Sequence, residues 1–223
     1  MARKLLNAVV GSLFALTLAC GTLLAQSRVS DFVKLEPSVG NTPFHEAALG
    51  AATVTIFSNL GPSSTDEYND TDGYCVAGAS PTGPECSTDE QWIGLPFTPA
   101  KNSHATILEV AVGVFAGTNG FELSLYNDVS GVPGTPLATI NVHDAPTFGT
   151  CCTLVSANLG SPGVALTAGT QYWVVARSND TEAPTFTGAW ALANDFIAYN
   201  PAQVGWFSFP SAPEAGAVKG TVP

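Results

Sequence analysis

Apolar and polar residues alternate along most of this chain with a period of two, the spacing that sends successive side chains to opposite faces of a β-strand. The clearest run is Thr106 to Phe115 (TILEVAVGVF). It places Leu108, Val110, Val112 and Val114 on one face and Glu109, Ala111 and Gly113 on the other. Phe121, Leu123 and Leu125 share a face in the next run, with Glu122, Ser124 and Tyr126 opposite. Asn127 to Thr135 gathers Asp128, Gly131, Pro133 and Gly134, residues that turn a chain, so Pro136 to Val142 returns as a partner strand. In Gln171 to Arg177 the charge of Arg177 belongs in solvent. Alternation then sends Trp173 and Val175 outward with it, and Tyr172, Val174 and Ala176 to the core.

Further strands are expected at Ala52 to Ser58, Gln91 to Phe97, Thr153 to Leu159, Gly188 to Ala193 and Gly205 to Phe209. Residues 60–90 hold Pro62, the acidic run Asp66 to Asp72, Gly78, Pro81, Gly83 and Pro84, and read as one long loop. The C-terminal stretch SAPEAGAVKGTVP has neither an apolar tail nor a recognisable sorting motif. No long helical pattern and no fixed-period repeat intervenes. Short strands separated by Gly/Pro turns define an all-β chain folded as a single antiparallel β-sandwich. Eight or so strands suit a jelly roll.

The first 25 residues break this pattern. Arg3 and Lys4 precede an apolar stretch from Ala8 to Ala19, the form of a signal peptide cleaved after Ala25. The stretch is interrupted by Ser12 and Thr17 and falls short of the roughly 20 apolar residues of a spanning helix. The rival reading is lipid attachment at Cys20, for which Thr17 and Leu18 are poor preceding residues. The chain thus divides into a leader (1–25), an N-terminal arm (26–50, extended or briefly helical around Phe44 to Leu49) and a sandwich (51–222). The expected location is extracellular or on the cell surface.

Export changes the charge balance. Of seven Lys/Arg, Arg3 and Lys4 leave with the leader, so five face 18 Asp/Glu and the mature net charge is −13. Nucleic acid and anionic headgroups need basic patches, which this composition denies them. Four cysteines remain after cleavage: Cys75, Cys86, Cys151 and Cys152. An even number in an exported chain favours disulfides. Three pairings are open. Cys75–Cys86 with a vicinal Cys151–Cys152 is favoured, because Pro146, Gly149 and Thr150 supply the turn a vicinal ring requires.

Several motifs together resemble the choice-of-anchor R family: Gln91-Trp92-Ile93-Gly94, Val110-Ala111-Val112-Gly113, Leu125-Tyr126-Asn127-Asp128 with Gly131-Val132-Pro133-Gly134-Thr135, Phe148-Gly149-Thr150-Cys151-Cys152, and Thr167-Ala168-Gly169-Thr170-Gln171-Tyr172-Trp173. The likeness covers residues 53–222. It implies a bacterial exported domain of a kind found with varied surface-attachment signals. Its motifs are strands and turns and bring no catalytic residue with them.

Candidate chemistry is sparse. His45, His104 and His143 are scattered, and no nucleophile elbow, zinc helix motif, paired-cysteine motif or phosphate-cradling glycine loop is present. Asp66, Asp70 and Asp72 bring hard oxygen ligands together and make calcium the one cofactor to consider. The EF-hand spacing fails, since Tyr68 stands at its first ligand position. Outward-facing Trp173 and Tyr126 could form a flat platform on which sugar rings stack, while Trp92, Trp190 and Trp206 read as core or strand-end packing. The leading expectation is a non-catalytic β-sandwich that contacts polysaccharide or a cell-surface protein. A polysaccharide hydrolase using paired carboxylates and a purely structural envelope protein are the alternatives.

Overall fold

The computed structural model describes residues 32–34, 53–62, 64–86, 89–193, 206 and 213–223. The expected leader, the helix around Phe44 to Leu49 and, Trp206 apart, the strand at 205–209 lie outside the described residues. Among the described residues thirteen strands form and there is no helix. They are β1 (Phe32–Lys34), β2 (Val54–Ser58), β3 (Asn69–Ala77), β4 (Ile93–Phe97), β5 (Ser103–Val110), β6 (Val112–Ala116) and β7 (Phe121–Val129), followed by β8 (Val132–Val142), β9 (Val155–Asn158), β10 (Val164–Leu166), β11 (Tyr172–Ser178), β12 (Thr187–Leu192) and β13 (Gly216–Thr221).

The paired strands are antiparallel, and the sheets form an open sandwich that does not close into a barrel. The first sheet runs β2-β13-β5-β10, with β9 also pairing β5. The second runs β4-β11-β7-β8. With β9 set aside and the other eight strands numbered in chain order, the two sheets read 1-8-3-6 and 2-7-4-5, which is jelly-roll connectivity. A third sheet, β1-β3-β12-β6, is built from chain between the jelly-roll strands, with β1 supplied by the expected arm. Its register sets Phe32 opposite Tyr74 and Lys34 opposite Asp72.

The alternation read from the sequence fills one core. Leu108, Val110 and Val112 share it with Phe121, Leu123, Leu125, Val174 and Ala176, and Trp190 lies fully buried among them. Tyr172 joins them, as its place in the period requires.

Four expectations need correction. Residues 60–90 are not all loop, because β3 crosses them. Asn, Asp and Gly give β3 poor intrinsic strand propensity, but pairing to β12 on one side and β1 on the other supplies the ladder. Thr106 to Phe115 is not one strand: it breaks at Ala111, and β5 joins the first sheet while β6 joins the third. The turn expected over 127–135 is a two-residue hairpin. Ser130 and Gly131 adopt φ of 58° and 83°, and the return strand starts at Val132. The C-terminal stretch, where no strand was expected, supplies β13 between β5 and β2.

At Ala111 the first and third sheets meet. The Ala111 amide donates to the Ala215 carbonyl at 3.1 Å, Ala215 to Ala191 at 2.8 Å, and Ala191 back to Ala111 at 2.9 Å. This closed ring of three backbone hydrogen bonds welds β5, β12 and the start of β13 into one layer. Trp190 Nε1 adds a bond to the Ala215 carbonyl at 2.8 Å.

Candidate functional site

The outer face of the second sheet gathers aromatic and charged side chains: Tyr126, Trp173, Trp206, Trp92, Arg177 and Glu122. Strand register builds it. Trp173 stands opposite Tyr126 and Pro96, Val175 opposite Ser124 and Gly94, and Arg177 opposite Glu122. The outward direction expected for Trp173 and Tyr126 is therefore right.

Their exposure is not. Trp173 is 2% exposed and Tyr126 5%, so the flat platform expected of them is covered. Trp206 packs over the cluster of Tyr126, Trp173 and Val175. Gly94 lies directly beneath: a Cβ there would reach ordinary van der Waals contact, 3.4 Å from both Trp173 Cε3 and Trp206 Cζ3 and 3.5 Å from Pro133 Cγ. The period of a strand says which face a side chain takes and nothing about what lies on that face, which is why the cover went unread.

Asp128 fixes the far end of the cluster. Its Oδ1 accepts hydrogen bonds from Trp173 Nε1 at 2.7 Å and Gln171 Nε2 at 2.8 Å, and its Oδ2 accepts one from the Gly131 amide at 3.0 Å. Partial burial pushes the carboxyl upward, but the bonds from Trp173, Gly131 and Gln171 outweigh it and hold the group below its ordinary range. The Tyr126 phenol is raised, first by burial; Arg177 opposes the shift and Glu122 adds to it.

Beside this cluster the partly exposed aromatics are a different pair. Trp92 and Trp206 are half-buried, with ring centroids 6.4 Å apart and planes inclined at 60°. The guanidinium of Arg177 lies 5.1 Å over the Trp92 ring while pairing with Glu122. Trp92 Nε1 donates to Glu90 and, at 3.2 Å, to Ser178 Oγ, whose hydroxyl donates to Glu90 Oε1 at 2.5 Å. Two indoles meeting at an angle, with a ring of committed polar groups, suit a ligand that offers both C–H faces and hydroxyls. Sequence reasoning assigned Trp92 and Trp206 to packing. The signal available was Arg177, whose cross-strand neighbour Glu122 is of opposite charge.

The remaining candidates are dispersed. Asp66 is exposed in a bend. Asp70 accepts the Cys151 amide at 3.0 Å, and Asp72 accepts Asn69 Nδ2 at 2.8 Å. Among the described residues no group of three or more His, Cys, Asp or Glu is arranged to hold a metal ion. The expected calcium set is thus not assembled, because a strand spreads residues that a loop would have gathered. His143 faces Glu182 at 3.6 Å on the surface, and Glu109 holds Lys219 at 2.8 Å.

Cys75 and Cys86 pair with Cα atoms 5.9 Å apart, and Cys151 pairs with Cys152 across a cis peptide bond. The vicinal turn is clamped by Tyr68, whose hydroxyl donates to the Thr150 carbonyl at 2.9 Å and accepts the Thr153 amide at 2.8 Å. Burial pushes that phenol well above its ordinary range. Among the described residues no helix is long and apolar enough to cross a membrane. Compared with known proteins, the chain matches no family model, no curated protein and no solved structure.

Proposed function

We propose that this chain is an exported, non-catalytic β-sandwich that makes surface, matrix or glycan contacts through the outer face of its second sheet. The observation that carries the reading is the half-buried Trp92–Trp206 pair, inclined at 60° with Arg177 over Trp92. A sugar ring presents an apolar C–H face to one indole and its hydroxyls to the polar groups beside Trp92, Glu90 and Ser178. The two disulfides and the acidic composition suit an oxidising, extracellular setting. The resemblance to the choice-of-anchor R family favours the same class without naming a ligand.

The test is retention of purified residues 26–223 on a panel of insoluble polysaccharides, with Trp206→Ala, Trp92→Ala and a chelator arm. Retention that is lost in Trp206→Ala while its melting temperature is kept supports the reading. Retention unchanged in both variants moves the contact elsewhere. No retention on any matrix sinks the glycan reading and leaves a protein partner or a structural role.

A further inference from the structure

Glu214 is the one acidic side chain among the described residues that is fully buried, at 0% exposure. Among the described residues no other residue gives either carboxyl oxygen a hydrogen bond, and the residue's own backbone amide is the one group that favours the charged form. A charge removed from water without a partner is among the costliest things a fold can hold, so such a group is kept neutral or forces its surroundings to open. Burial accordingly raises this carboxyl well above its ordinary range.

Its position gives that chemistry a mechanical consequence. Glu214 bridges Leu192 at the end of β12, and it is the residue just before Ala215 in the ring that welds the first and third sheets. Its own carbonyl accepts Asn59 Nδ2 at 2.7 Å, and the same amide side chain takes the Gly216 amide through Oδ1 at 2.8 Å. Ala193 donates to the Pro213 carbonyl at 2.7 Å on the other side. The backbone around Glu214 is therefore pinned by β12, by the chain after β2 and by β13 at once. Tyr74 of β3 is the titratable group that its charge acts on; burial first, and then Glu214, push that phenol up to about 12. Among the described residues no lysine, arginine or histidine acts on the Glu214 carboxyl, and only its own backbone amide offsets the cost of ionisation.

We propose that Glu214 is a pH-sensitive latch: as the neutral acid it lets β12 and the lead into β13 close over the core, and as the carboxylate it forces that seam apart. The direction follows from linkage. The folded form binds a proton that the unfolded chain releases in the ordinary carboxylate range, so the seam is tightest in acid. It weakens progressively as pH rises toward the point where the buried group ionises.

Hydrogen exchange of the Ala191, Ala193, Ala215 and Gly216 amides, corrected for the intrinsic pH dependence, reads the seam directly. Between pH 5 and 9 their protection should fall by about tenfold or more relative to Leu125 and Val174 of the second sheet. In Glu214→Gln that fall should vanish. The same pH slope in both proteins overturns the latch, and so does an equal loss at Leu125 and Val174, which would mean global unfolding. Should the glutamine variant not fold, wild-type protein labelled with carboxyl-13C glutamate decides. One glutamate resonance still protonated at pH 7 supports the latch, and titration of every glutamate in the ordinary carboxylate range overturns it.

Discussion

Asp128 organises the outer face of the second sheet from a position at its margin, holding the indole of Trp173, the amide of Gln171 and the hairpin amide of Gly131 with one carboxylate. Replacing it by alanine leaves a buried indole N–H without that acceptor, and the expected cost is on the order of 1–2 kcal/mol in chemical denaturation. Its carboxyl titrates below the ordinary range, so the contribution is complete above the unfolded value and is lost as pH falls through the folded one. Asp128→Asn should therefore flatten the acid limb of the stability curve, and an unchanged limb would remove Asp128 from that role. Trp173 is tested differently. As a residue 2% exposed, its replacement by alanine should cost about 3–5 kcal/mol. A variant that keeps wild-type stability and loses only ligand retention would restore the open platform. The alternation of Gln171 to Arg177 was legible from the charge of Arg177 and the apolar residues between. The burial was not, because the strand pattern of Gly205 to Phe209 does not say which surface Trp206 packs on.

The strand β3 shows what element-level patterning leaves out. Its first four residues, Asn69 to Asp72, are poor strand formers, and it becomes a strand because β12 and β1 supply partners for its backbone. Local sequence cannot report partners that arrive from more than a hundred residues away, as Thr187 to Leu192 do. The cysteines were more legible, since proximity and turn residues limited their pairing. Cys75 lies in β3, and its disulfide to Cys86 ties the strand to the loop that follows. Closing 11 residues of chain is worth about 3 kcal/mol on the loop-entropy model. The Cys75→Ala/Cys86→Ala pair should lower stability by that amount without changing the sheet-rich circular dichroism spectrum. A melting temperature indifferent to the double change would show that pairing to β12 and β1 secures β3 without the disulfide.

At the scale of the whole molecule the chain closes on itself late. The first sheet needs Val54–Ser58 beside Gly216–Thr221, and Asn59 spans 155 residues to reach the Glu214 carbonyl. Contacts this distant in sequence bring loop-closure entropy forward in folding, so a slow folding phase is the natural expectation for such a topology. The jelly-roll class was legible because strand number and spacing suffice to suggest it. The place of β13 was not, because Gly216, Ala217 and Gly220 give it little apolar pattern, and small residues are what an interior strand welded at Ala215 can accept. Gly220 shows the constraint: a Cβ there would come within 1.9 Å of the His104 carbonyl oxygen. An interior strand cannot be removed as an edge can. Deleting residues 216–223 strips β2 of its partner, leaves one edge of β5 unpaired and exposes core residues that Val218 covers. The expected result is loss of cooperative unfolding and of near-ultraviolet circular dichroism, while deletion of Val222 and Pro223, which lie past β13, leaves the transition within about 2 °C. A shortened chain that still melts cooperatively would mean that the second and third sheets form a folding unit without the first, and the junction at Ala111, Ala191 and Ala215 would then be a docking contact between two units and not the weld that makes them one.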